Sequence, residues 1–81
     1  PKGIAVDSDG HIWVSDSYRN TVQIFDRKGR LLLIFGKLGI GQGQFSIPEG
    51  LFIDSKDRLI VADSYNYRVQ MFQYLKSAAK N

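Results

Sequence analysis

Asp63-Ser64-Tyr65-Asn66-Tyr67-Arg68-Val69-Gln70-Met71-Phe72 has an earlier counterpart in the same chain, Asp16-Ser17-Tyr18-Arg19-Asn20-Thr21-Val22-Gln23-Ile24-Phe25. The offset is 47 residues (63 less 16), and it holds beyond these stretches: Pro1 and Pro48, Gly3 and Gly50, Asp7 and Asp54, Ser8 and Ser55, and Val14 and Val61 all obey it. Self-similarity at a period of roughly 40–50 residues marks stacked supersecondary units, propeller blades above all. Architecture is therefore written into the chain twice.

Within the first unit, residues 2–7, 11–15, 21–26 and 30–35 read as strands, rich in β-branched and aromatic side chains. Asp7-Ser8-Asp9-Gly10, residues 16–20 and Arg27-Lys28-Gly29 read as the turns between them. Ile12-Trp13-Val14 and Leu31 to Phe35 are apolar on consecutive residues, where a sheet with one wet face would alternate. Both faces of such a sheet are expected to be covered. A neighbouring sheet on either side meets that condition, as in a propeller. A sandwich, with an outward polar face on each sheet, fits less well.

Residues 36–47, with glycine at 36, 39, 41 and 43, read as a compact connection, because the repeat restarts directly after them. Phe45 and Ile47 are expected as plugs between the sheets, and Pro48 fixes the start of the next strand. In the second unit residues 50–54, 58–62 and 68–74 read as strands. Residues 75–81 carry no counterpart of the apolar run from Leu31 to Phe35, so this unit has three strands of its own and an open outer edge. The expected organisation is a first blade at 1–35, a Gly-rich loop at 36–47, a second blade at 48–75 and a tail at 76–81.

A chain of 81 residues has room for one small domain or two repeat units. It has no cysteine, so neither disulfides nor thiolate metal sites can staple it. The net charge of +3 is spread along the sequence, the pattern of a solvated surface more than of a nucleic-acid groove. The longest apolar run falls far short of the roughly 20 residues that span a bilayer, and membrane insertion is not expected. No signal peptide is visible. A first residue of Pro suggests part of a longer polypeptide, whose upstream segment would decide the compartment, extracytoplasmic included.

The run Pro-x-Gly-Ile-Ala-Val-Asp-x-x-Gly-x-Ile from Pro1, followed by Val14-Ser15-Asp16-Ser17 and Val22-Gln23-Ile24-Phe25, resembles the NHL repeat. So does Gly-x-Gly-Gln-Phe-x-x-Pro-x-Gly from Gly41 to Gly50. The resemblance covers nearly all of residues 1–75 and rests on many positions agreeing in two copies. It implies an all-β fold of two four-stranded antiparallel β-propeller blades, the second lacking its own outer strand, from the C-terminal end of a six-bladed bacterial protein. The family's Asp-x-x-Asn-x-Arg-[Ile/Val]-Gln element is intact as Asp63, Asn66, Arg68, Val69 and Gln70. The first copy has Arg19 at the Asn position and Thr21 at the Arg position. If Arg68 ties its turn to Asp63, the turn at Asp16 must be held by another means and is expected to be the more mobile.

By the same resemblance, the turns between second and third strands share one rim with the inter-blade loop, and that rim is the usual binding face. It would gather Tyr18, Arg19, Asn20, Lys37, Tyr65, Asn66 and Tyr67, with Lys2 and Glu49 nearer the axis. Tyrosine and arginine beside amides are residue types that anchor interfaces, so a protein or peptide partner is expected. The alternative is single-stranded RNA, as bound by animal relatives with tripartite motifs, with bases stacked on the tyrosines and phosphates on Arg19 and Lys37. Their basic surface is usually more pronounced than the +3 here. Two blades would leave an apolar face open at each end, so self-association, or packing with further blades of a parent chain, is expected; three copies would supply six blades.

No cofactor, metal site or catalytic residue is expected, and the chain is read as non-enzymatic. Asp7, Asp9, Asp16, Asp54, Asp57 and Asp63 lie in or beside turns. Asp7-Ser8-Asp9-Gly10 looks like the start of a calcium loop but lacks the later ligands and the terminal Glu, which favours plain turn-forming aspartates. His11 has no second His or Cys to complete a zinc site. The glycines from 39 to 43 are followed by no Lys-Ser/Thr and no helix, so they form no phosphate loop. Trp13 belongs in the core. The alternative is a metal-dependent propeller enzyme, lyase- or lactonase-like, whose site several blades of an intact parent would assemble.

Overall fold

The computed structural model describes residues 2–74. Seven strands follow in chain order: β1 (Gly3–Val6), β2 (Ile12–Asp16), β3 (Thr21–Phe25), β4 (Leu31–Phe35), β5 (Pro48–Ile53), β6 (Arg58–Asp63) and β7 (Arg68–Gln73). A single 3-10 turn, Ser64–Asn66, stands between β6 and β7. The strands form two antiparallel meanders, β1-β2-β3-β4 and β5-β6-β7. This is the all-β fold expected of two successive blades, four strands and then three. The tail at 76–81 and residue 75 lie outside the described residues. No helix of the described residues is long and apolar enough to cross a membrane.

The strand register repeats with the sequence. Ile4 lies opposite Val14 as Leu51 lies opposite Val61, and Ala5 opposite Trp13 as Phe52 opposite Ile60. In the next ladder Asp16 faces Thr21 as Asp63 faces Arg68. Turn chemistry enforces this. Asp7, Asp26 and Asp54 each accept backbone N–H groups two and four residues on, through one carboxylate oxygen. An aspartate in that geometry mimics a backbone turn and closes the hairpin at a fixed length. Asp26 closes the β3–β4 hairpin in the same way as its two counterparts.

The core lies between the sheets. Trp13, Val22 and Ile24 of the first sheet meet Leu59 and Val61 of the second, with Phe45 of the connecting loop fully buried among them. Phe35, Phe45 and Phe72 form a ring cluster with centroid separations of 5.3–6.3 Å. Burying large apolar side chains between the sheets stabilises each by about 1.5–3 kcal/mol. Gly36 is needed beside them. Its φ is +99°, and a Cβ there would stand 2.6 Å from the Phe45 ring.

Two expectations are corrected. The run Leu31 to Ile34, expected to be covered on both faces, is exposed along its length, while the open faces expected at the two ends are there, with Ile4 and Val6 of the first sheet and Phe52, Val69 and Met71 of the second exposed. Two sheets make one interface, and the consecutive apolar residues of β4 are an edge strand in this chain. Ile47 is not a plug. Its φ of +54° turns the chain towards β5, and the residue remains half-buried outside the core.

Candidate functional site

The turn that follows β6 is built on a buried carboxylate. Asp63 has no exposed surface, and burial by itself would raise its pKa. Four donors outweigh that: the Ser46 N–H at 2.7 Å, Asn66 Nδ2 at 2.9 Å, Arg68 Nε at 2.7 Å and Gln70 Nε2 at 3.3 Å. The carboxyl is therefore held below its ordinary value. Arg68 also donates outward, to the carbonyls of Ile40 (2.7 Å), Gly41 (3.0 Å) and Gln44 (2.8 Å). Asn66 reaches the Gly39 carbonyl, and Gln70 both donates to Gln44 and accepts from the Gly43 N–H. The expected Asp63–Arg68 pair exists and is also a clamp on residues 39–46.

The first turn is held by another means, as the departures at 19 and 21 require. Asp16 accepts the N–H groups of Tyr18 and Arg19, and Arg19 Nη1 reaches it at 3.0 Å. Burial raises the Asp16 pKa, but the Arg19 bonds outweigh it and leave it lowered. Thr21 stands where the second copy has Arg68, and its buried hydroxyl has no hydrogen-bond partner among the described residues. Asn20 and Tyr67, equivalent at the offset of 47, both sit in the left-handed region, at φ +57° and +53°. Asn20 Oδ1 accepts the Ile47 N–H at 2.7 Å, and the neighbouring Ser46 carbonyl accepts the Tyr65 N–H. Ser46 and Ile47 thus stitch both turns to one rim.

The rim residues named from sequence divide into two sets. Asn20 and Asn66 point inward and cap the loop. Tyr18, Tyr65 and Tyr67 are 89%, 67% and 96% exposed. Lys37 is exposed on the connecting loop. Arg19 is exposed too, although its guanidinium is engaged by Asp16. Lys2 and Glu49 lie by β1 and β5, where Ser15 Oγ donates to the Glu49 carbonyl. Gln23 Nε2 reaches Asp16 at 3.4 Å as Gln70 Nε2 reaches Asp63, so the glutamine of the recurring Val-Gln pair turns back to the aspartate of its own copy.

A second polar cluster lies at the β1–β2 turn. Asp7 accepts Trp13 Nε1 at 2.9 Å and stands 3.1 Å from His11 Nδ1, and the Tyr74 hydroxyl lies 3.2 Å from Asp9 Oδ2. Ser8 binds Asp57 through both its N–H and its hydroxyl. Burial would raise the Asp7 pKa, yet Trp13, His11 and Asp9 as donors keep it lowered, while burial and Asp9 push the Tyr74 hydroxyl up. This cluster ties the second sheet to the first. Among the described residues no three His, Cys, Asp or Glu side chains are grouped so as to hold a metal ion.

A pH dependence follows. Asp7, Asp16 and Asp63 have lowered pKa values in the fold, so the unfolded chain binds more protons as acid is added. Their contribution is fully present above the ordinary carboxylate range near 4 and is lost as pH falls through the folded values. Tm measured by circular dichroism is expected to stay level from pH 7 to 5 and to drop steadily below about pH 4. A Tm that rose on acidification would contradict the carboxylate geometry.

The family model for the NHL repeat matches residues 1–25 and 45–72, the first taking in β1 to β3 and the second β5, β6 and nearly all of β7. Protein brain tumor of Drosophila melanogaster is 38% identical over 48 residues, a match that takes in 59% of this chain and 5% of that protein. With the repeat matched in both copies and over more than half of its residues, the chain belongs to the NHL-repeat family.

Proposed function

We propose that the chain is a non-enzymatic β-propeller scaffold that binds a protein or peptide through the tyrosines of its rim. The carrying observation is Tyr67. A bulky aromatic in the left-handed region costs about 1 kcal/mol, and Asn relieves most of it. The first copy does place Asn at this position. Yet Tyr67 is 96% exposed and gains no buried packing in return. Strain kept at an exposed aromatic, beside Tyr18 and Tyr65 on turns fixed from below, is the pattern of a recognition surface. RNA is less well supported, because Arg19 is already engaged by Asp16.

Two substitutions test this. Tyr67→Asn is expected to raise Tm by about 3–6 °C, as roughly 0.5–1 kcal/mol of strain is released. Tyr65→Ala is expected to leave Tm within about 1 °C, since the side chain is exposed. Peptides selected from a random display library on the wild-type chain are expected to bind each variant at least about tenfold more weakly. Unchanged affinity in both variants would remove the rim from consideration. Tight oligonucleotide binding that collapses with salt would favour the RNA reading instead.

A further inference from the structure

We infer that the two open sheet faces are complementary halves of one interface, and that a second copy of this chain docks on them head to tail. The argument starts from the offset of 47. Ile53 and Leu59 of the second sheet pack towards the internal interface, and their equivalents Val6 and Ile12 lie on the open face of the first sheet. Conversely, the buried Val22 and Ile24 have as equivalents Val69 and Met71, both exposed on the open face of the second sheet. The open face at one end therefore repeats the surface that receives a blade inside the chain. The open face at the other end repeats the surface that is received.

Side-chain bulk follows the same logic. Ala5 and Trp13 are cross-strand neighbours on the inner face of the first sheet, and Phe52 and Ile60 are cross-strand neighbours at the equivalent positions. The large residue has moved to the other strand, but the pair still offers one large and one smaller apolar group. The joint is thus conserved in bulk as well as in polarity.

Gly50 supplies an independent observation. Its equivalent, Gly3, is required inside the chain, because a Cβ there would collide with the Glu49 carbonyl oxygen. At Gly50 a Cβ would meet only the Ala62 Cβ at 3.6 Å, an ordinary contact, and its φ is not positive. Nothing among the described residues asks for glycine at 50. In a head-to-tail contact the Lys2 carbonyl of the next copy occupies the place that Glu49 occupies beside Gly3. A contact of this kind is heterologous, and it closes into a ring or continues as a ladder.

Sedimentation velocity on the 81-residue chain tests the inference, with emission from the buried Trp13 as the check on folding. The wild type is expected to sediment at a multiple of the chain mass at tens of micromolar and to dissociate on dilution. Gly50→Ala is expected to keep blue-shifted Trp13 emission while shifting the midpoint of assembly upward by about tenfold or more. Val6→Asp and Met71→Asp block opposite faces, so each alone is expected to be a single copy. Mixed one to one, they are expected to form a dimer, because each keeps the face the other has lost. A wild type that is a single copy at every concentration overturns the inference. So does a folded Val6→Asp or Met71→Asp chain that still pairs with itself, since that contact would be isologous. Should an aspartate variant fail to fold, the wild-type and Gly50→Ala results decide the matter.

Discussion

Asp63→Ala is expected to destabilise the chain by about 3 kcal/mol and to free the loop between the blades. The carboxylate is fully buried and accepts four hydrogen bonds, one of them from the Ser46 backbone. Removing it orphans that N–H and leaves the Arg68 guanidinium without its counter-charge in a largely desolvated place. Arg68 is also the group that holds Ile40, Gly41 and Gln44, so its release should be felt along the whole segment. Urea denaturation gives the energy, and amide hydrogen exchange gives the location. Protection is expected to fall at Ser46 and Gly43 before it falls in β6. Asp16→Ala is the internal control. Its partners are the adjacent N–H groups, Gln23 Nε2 at a long 3.4 Å, and an Arg19 that is 70% exposed and can return to water, so about 1–2 kcal/mol is expected. Equal costs for the two aspartates would refute the clamp.

That contrast also marks where the sequence could be read and where it could not. The pairing of Asp63 with Arg68 was legible, because opposite charges five residues apart across a turn have few other places to go. The onward bonds of Arg68 were not, since they end on backbone carbonyls, which no residue type encodes. Asn20 and Asn66 look from sequence like contact residues beside tyrosines. An amide that caps a loop and an amide that meets a ligand are the same letter, and only the positions of Ile47 and Gly39 separate them. Phe45 was legible as a plug and Ile47 was not. Both are large and apolar, but the left-handed backbone at Ile47 leaves it outside the core. The consecutive apolar residues of β4 gave the right strand and the wrong burial. Periodicity reports what a strand is suited to meet, and the number of sheets present decides whether it meets it.

Phe45→Ala is expected to be the most costly single change, at about 3–5 kcal/mol. Marginal stability for a chain of this length is of order 4–12 kcal/mol, so the variant would sit close to unfolding at room temperature. Phe45 belongs to neither sheet. It reaches the core from the connecting loop and touches Phe35 of the first sheet and Phe72 of the second, so its loss opens a cavity in a joint that is left to direct contacts such as Phe35 on Phe72. The cost should be tied to Gly36, whose missing side chain makes room for the ring. Gly36→Ala alone is expected to cost about 2–3 kcal/mol, part from a backbone at φ +99° and part from the clash with Phe45. Once Phe45 is alanine the clash is gone, and the same substitution should cost only about 1 kcal/mol. A double-mutant cycle in urea reads this as a coupling of about 1–2 kcal/mol. Additive costs would mean that the ring and the glycine do not share the pocket, and the loop would then be a tether between the blades, with no part in their core.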